Sequence, residues 1–155
     1  MRLGYAFAVE NGADNFTELE PLYRQHYGEM QARLKADGID VPAFNMRLDV
    51  YMSYWRAGHL VNYVVRKAGA VCGVANIYLT NDMHNGEFIA VEDAIYLLPE
   101  HRNGTGRLFS KFILADLKQR GVKRLNATVL TDLRVGKLWL RMGFVRTGDA
   151  MTYRF

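Results

Sequence analysis

The segment that most limits what this chain can fold into is residues 88–130. Residues 88–98 read as a strand, and a glycine-bearing loop follows, Pro99-Glu100-His101-Arg102-Asn103-Gly104-Thr105-Gly106-Arg107. Residues 104–120 read as a helix: Leu108, Phe109, Phe112, Ile113 and Leu117 form one apolar stripe at helical spacing, and Gly121 stands where a left-handed C-terminal cap belongs. Residues 123–130 are a strand again. Strand, helix and strand in that order demand a parallel pair joined by a right-handed crossover. The chain therefore reads as an α/β (α+β) sheet with helices on both faces.

The remaining elements fit around this unit. Residues 3–9 alternate at the strand period, and Asn11-Gly12 reads as a turn. Between 16 and 35, Leu19, Leu22, Tyr23, Tyr27, Met30 and Leu34 fall three and four apart, with Thr17 and Glu20 offering a capping box at the start. Pro42 opens a second helical stretch that runs to residue 57. Residues 60–67 and 71–79 read as a hairpin turning at Ala68-Gly69, and 80–87 is a polar loop. A short helix over 132–142 and a last strand over 151–155 complete the order β-α-α-β-β-β-α-β-α-β.

At 155 residues the chain fits one domain, 1–155, and a hydrophobic content of 50% is enough for a core. Cys72 is the single cysteine, so no disulfide can form within the chain; in its apolar setting it reads as a small buried hydrophobe and fits a reducing cytoplasm. No apolar stretch approaches the length of a membrane span. The apolar start reads as a strand rather than a signal peptide, because Glu10 interrupts it and no small-residue cleavage site follows. A net charge of +4 favours an anionic ligand, yet basic residues are interleaved with acids rather than gathered into a stripe, which argues against a nucleic-acid binder. His26, His59 and His84 have no metal-ligand spacing. Tyr23, Tyr27 and Trp55 read as core.

The loop carries the chemistry. Glycines between a strand and a helix let backbone N–H groups approach an anion, and the helix N-terminus adds partial positive charge. Arg102, Arg107 and Lys111 reinforce it. The loop lacks the Gly-Lys-Ser/Thr of a Walker loop and the Gly-x-Gly-x-x-Gly of a dinucleotide fingerprint. On the loop alone, a plain turn with glycines for bending stays open.

Taken with its flanks, the loop resembles the acyl-CoA pyrophosphate loop of the GNAT superfamily of N-acetyltransferases. That pattern is Arg/Gln-x-x-Gly-x-Gly/Ala after a strand that often carries Glu-Asp, here Val91-Glu92-Asp93-Ala94-Ile95-Tyr96-Leu97-Leu98. Leu138-Trp139-Leu140-Arg141-Met142-Gly143-Phe144 is similar to the family's Leu-Tyr-x-x-x-Gly-Phe. The style of the motifs is also similar to small GNAT proteins encoded by bacteriophages. Two registers are open: Gly104 and Gly106 in the glycine positions put His101 in the Arg/Gln position, whereas Arg102 in that position puts Thr105 and Arg107 in the glycine positions. Trp139 stands where many relatives carry a tyrosine that protonates the leaving thiolate, and tryptophan has no titratable proton to give.

The resemblance implies a mixed, mostly antiparallel central sheet with a parallel strand pair splayed at the acyl-CoA site. It implies acetyl-CoA as acetyl donor and a primary amine, small molecule or protein, as acceptor. Backbone partners for the donor would come from Tyr96, Leu97 and Leu98, the phosphate cradle from His101, Arg102, Asn103, Gly104, Thr105, Gly106 and Arg107, and further contacts from Asp132, Lys137 and Trp139. Asp132 serves equally well as a helix N-cap. Glu92 or Asp93 would take the amine's proton; neighbouring strand residues point to opposite faces, so one of them faces the substrate, and Glu92 is favoured. Acidic residues such as Asp82, Glu87, Glu92 and Asp93 would attract a cationic amine. Homodimers through the 151–155 strand are also implied. A GNAT-fold binding or regulatory module without catalysis remains the alternative.

Overall fold

A computed structural model describes residues 4–130 and 134–155. Five strands lie side by side in chain order: β1 (Tyr5–Glu10), β2 (Leu60–Lys67), β3 (Ala70–Asn81), β4 (Phe88–Leu97) and β5 (Arg124–Asn126). Helices α1 (Gly12–Ala36) and α2 (Leu48–Ala57) connect β1 to β2. Helix α3 (Thr105–Gln119) crosses from β4 to β5, and α4 (Arg134–Arg141) follows. The first four strands are antiparallel neighbours, and β5 runs parallel to β4 through Ile89↔Arg124, Ala90↔Leu125 and Val91↔Asn126. This is the mixed, mostly antiparallel sheet with one parallel pair that the sequence implies. Among the described residues no helix is long and apolar enough to cross a membrane.

Side-chain alternation along the strands divides the core in two. Val61, Tyr63 and Val65 of β2 face α3 and meet Phe109, Ile113 and Leu117. Leu60 and Val64 of the same strand face the other way and meet Leu19, Leu22 and Tyr23 of α1 and Trp55 of α2. Full burial of a side chain such as Phe109 stabilises the fold by roughly 1.5–3 kcal/mol. On the α1/α2 face the packing is close enough that Gly12 has no room for a side chain: a Cβ there would lie 2.4 Å from the Trp55 ring.

The β2–β3 hairpin turns at Ala68 and Gly69, both with positive φ, as a tight two-residue loop between twisted strands requires. Three expected boundaries move. Helix α1 begins at Gly12 rather than residue 16, because Asn11 accepts from the Ala13 N–H and caps it. The Asn11-Gly12 pair is thus a helix start rather than a turn, and the Thr17/Glu20 box lies inside the helix. Helix α2 begins at Leu48, not at Pro42. The carbonyls of Val41 and Pro42 are bound instead by side chains of α1, Gln31 Nε2 at 2.9 and 3.1 Å and the Tyr27 hydroxyl at 2.6 Å.

The last strand expected at 151–155 does not form. Met151, Tyr153 and Phe155 are 88%, 80% and 111% exposed, so among the described residues the segment finds neither a ladder partner nor a face to pack on, and a strand needs both. The strand expected over 123–130 is ordered as β5 for only three residues. Past Asn126 the chain leaves β4, and the Thr128 N–H is taken by the Glu92 carboxylate instead of by backbone.

One irregularity sets the geometry of β4. Asn76 pairs with Ala94 and Ile77 with Glu92, so Asp93 is an extra residue in a β-bulge. Before it, Ala90 and Glu92 face α3; after it, Ile95 and Leu97 do. The bulge switches that face from even-numbered to odd-numbered positions.

Candidate active site

Because β5 ends at Asn126, the edge of β4 beyond Val91 carries no strand among the described residues. A cleft of about 320 Å³ opens there between β4, α3 and α4. Ile95, Tyr96 and Leu97 line it from the sheet, Gly106, Phe109 and Ser110 from α3, and Arg134, Val135, Leu138 and Trp139 from α4.

The antiparallel ladder shows which backbone groups face this opening. The Leu98 N–H donates to the Cys72 carbonyl of β3 at 3.0 Å. Residues alternate in the direction of their backbone bonds, so Tyr96 also turns toward β3, whereas Leu97 and Ile95 turn toward the open edge. The Leu97 carbonyl on that edge accepts from Arg102 Nε at 2.9 Å. Of the three backbone partners expected, Leu97 faces the opening, and Tyr96 and Leu98 point their backbone groups to β3. Ile95 takes a place that sequence reading missed, since the bulge that sets the alternation leaves no signal in the sequence.

At the other end, Pro99–His101 forms one 3-10 turn, and Gly104 caps α3 with φ +95°, a left-handed conformation suited to glycine. The first turn of α3 has no side-chain cap, so its leading N–H groups are available to an anion. A Cβ on Gly106 would stand in the cleft, 3.6 Å from Leu97 Cδ1 and 3.8 Å from Leu138 Cδ2. Arg102, Arg107 and Arg134 line the cleft, and none of its described lining residues is a carboxylate.

Arg102 and His101 go to different places. Arg102 borders the cleft and is held from behind: Nη2 donates to both oxygens of Glu29 on α1 at 2.8 and 3.0 Å, and the guanidinium lies 5.1 Å from the Tyr96 ring centre. The Tyr96 hydroxyl donates to the same Glu29 at 2.8 Å. His101 turns away to β1, its Nδ1 2.9 Å from the Tyr5 hydroxyl. Thr105 is fully buried and donates to Asn103 Oδ1 at 3.2 Å; Asn103 and Lys137 are exposed and outside the cleft lining. Trp139 is buried and stacks on Phe144 at 5.3 Å. Asp132 lies outside the described residues.

A small cavity next to Glu92 shares Ile95, Ser110 and Trp139 with the cleft, and Ile113, Leu114 and Leu125 complete its apolar wall. Burial here pushes the Glu92 carboxyl up to about 7 against the opposing bond from Thr128 N–H at 3.2 Å, and the neighbouring charge of Asp93 adds to the rise. Asp93 sits on the other face, where the Tyr51 hydroxyl donates to it at 2.7 Å. Burial raises its carboxyl too, and the Tyr51 bond opposes the rise. Adjacent in sequence, the two carboxylates are separated by the sheet, and Glu92 is the one beside the cleft.

The model of the Acetyltransferase (GNAT) family matches residues 18–144, and the chain belongs to that family. As a member it is an acyl-CoA-dependent acetyltransferase with acetyl-CoA as the donor of the acetyl group. No curated protein matches the chain in sequence. Solved structures share its fold at low identity. A mutant of the BH1408 protein from Bacillus halodurans is 14% identical with a TM-score of 0.78, over 97% of this chain and 99% of that one. AAC(6')-Iy, in complex with the bisubstrate analogue CoA-S-monomethyl-acetylneamine, is 16% identical with a TM-score of 0.72, over 97% of each chain. A ribosomal-protein-alanine N-acetyltransferase from Brucella melitensis biovar Abortus 2308 is 14% identical with a TM-score of 0.71, over 97% and 99%. At these identities the likeness is one of fold.

Proposed function

We propose that residues 1–155 form one N-acetyltransferase domain that moves an acetyl group from acetyl-CoA to a primary amine by direct attack in a ternary complex, with Glu92 as general base. The observation that carries this reading is the position of Glu92: a half-buried carboxylate, raised toward neutrality, at the fork where β4 and β5 part and beside the arginine-lined cleft.

The residues present fit the donor. The uncapped first turn of α3, Gly104 and Gly106 suit its pyrophosphate, with Arg107, Arg134 and the Glu29-held Arg102 supplying positive charge. Acetyl-CoA supplies an acetyl group activated as a thioester. Leu97 and Ile95 offer backbone groups along the open edge to align it, and an N–H of that edge can bind the carbonyl oxygen as charge develops there, a role typically worth about 3–4 kcal/mol. Glu92 accepts the ammonium proton of the attacking amine, and its raised pKa suits a base working near pH 7.

Asp82 and Glu87 are already paired with Arg124, at 2.6 and 3.5 Å, and Asp93 is held by Tyr51 on the other face, which leaves Glu92 as the carboxylate for a cationic acceptor. The relatives include one named for aminoglycosides and one for a ribosomal protein, so both a small molecule and a protein terminus are acceptors worth screening. A cytoplasmic location, pairing of two copies and the bacteriophage likeness rest on the sequence alone.

The test is the shift in thermal unfolding on adding acetyl-CoA or CoA, with ATP as control. At about 100 times its dissociation constant a ligand stabilises the fold by roughly 2.7 kcal/mol. A shift with both CoA forms and none with ATP is expected. No shift at millimolar acetyl-CoA would favour the non-catalytic module.

A further inference from the structure

One polar group at the inner end of the cleft has no part in the chemistry above. Ser110 lies on α3 one turn past Gly106, is 5% exposed, and lines both the cleft and the cavity beside Glu92. Its side chain borders both spaces, where a ligand can meet its hydroxyl.

Its place along the cleft indicates what it meets. Moving inward from the loop, Leu97, Ile95 and Glu92 succeed one another on β4 while Gly106, Ser110 and then Ile113 and Leu114 succeed one another on α3. Ser110 therefore stands between the phosphate end and Glu92. In an acyl thioester entering from the phosphate end, sulfur precedes the carbonyl carbon. If the carbon reaches Glu92's neighbourhood, the sulfur passes Ser110. Trp139 borders the same two cavities and brings only an indole N–H.

We propose that the Ser110 hydroxyl donates a hydrogen bond to the thioester sulfur and holds the thiolate as it leaves, an assignment that rests on the acetyl-CoA reading of the cleft. The amine nitrogen forms the new C–N bond, and the C–S bond breaks with its electron pair passing to sulfur. The ammonium proton goes to Glu92, while the Ser110 proton stays on its own oxygen.

The experiment needs no acceptor. CoA is bound to the wild type, to Ser110→Ala and to Ser110→Thr, and its thiol is titrated by the ultraviolet absorbance of the thiolate; calorimetry with acetyl-CoA gives the affinities. Ser110→Ala is expected to bind acetyl-CoA up to about tenfold more weakly than wild type, as the loss of one hydrogen bond allows. Its bound thiol should titrate about one pH unit higher, and Ser110→Thr should restore the wild-type titration. Normal binding with the same thiol pKa in wild type and Ser110→Ala would overturn the role of Ser110 alone. A wild type that binds neither CoA nor acetyl-CoA would overturn the cofactor reading and this inference together.

Discussion

The two faces of the sheet solve the same packing problem differently. On the α1/α2 face, two buried asparagines are tied to aromatic side chains and to each other, with Asn62 Oδ1 alone of that network left without a partner among the described residues. Asn76 Oδ1 accepts from Trp55 Nε1 and Asn62 Nδ2 at 3.2 and 3.0 Å, and both asparagines donate to the Tyr23 hydroxyl at 3.1 and 2.9 Å. Asp93 is held there by Tyr51. On the α3 face the core is apolar as far as β5 reaches; beyond it the wall opens into the cleft, where Glu92 accepts one backbone N–H and Ser110 borders the open space. Side chains that satisfy one another fix a structure, whereas side chains left facing a cavity are available to a ligand. One bulge, at Asp93, assigns two adjacent carboxylates to these two fates.

The comparison is most directly tested at those carboxylates. Glu92→Gln should lower kcat by about 10²–10⁴ with acetyl-CoA affinity unchanged, and Asp93→Asn should lower it by no more than about threefold; steady-state rates with an accepted amine and calorimetry check both. Equal losses would erase the distinction between the faces. A smaller effect is expected from Tyr23→Phe, which strips a shared acceptor from two buried amides and should destabilise the fold by about 1–3 kcal/mol in urea unfolding while turnover is kept.

The pH dependence separates the faces further. Turnover should rise with pH through about 7 as Glu92 loses its proton, and Glu92→Gln should flatten that limb. Stability runs the other way. A carboxyl raised from 4.5 to about 7 holds more protons folded than unfolded, so its contribution is complete below pH 4.5 and is lost as pH rises through about 7. Thermal unfolding of Glu92→Gln should lack that slope. The smallest effect belongs to Glu29→Gln. Its ion pair with Arg102 is partly exposed, so a stability loss of about 1 kcal/mol or less is expected, together with weaker acetyl-CoA binding if α1 helps to set the loop. Unchanged binding would confine Glu29 to a packing role.

Much of this was legible in the chain because it depends on near neighbours. The apolar stripe of 104–120 follows from spacing within one helix, the hairpin at Ala68-Gly69 from two residues, and the family from short motifs around Glu92, Gly104 and Gly143. The segment at 151–155 has a strand's alternation, yet a strand also needs an edge to join, and no local pattern says whether one is within reach. Tertiary structure alone decided the rest. Arg102 is bound by Glu29, 73 residues away, and Asp93 by Tyr51, 42 residues away. The bulge at Asp93, the end of β5 at Asn126, the turning of Ile95 and Leu97 to the open edge and the place of Ser110 between the two cavities are matters of register and partner. Periodicity is a property of a segment by itself; register and partner exist only between segments, and the fold has to bring them together before either is defined.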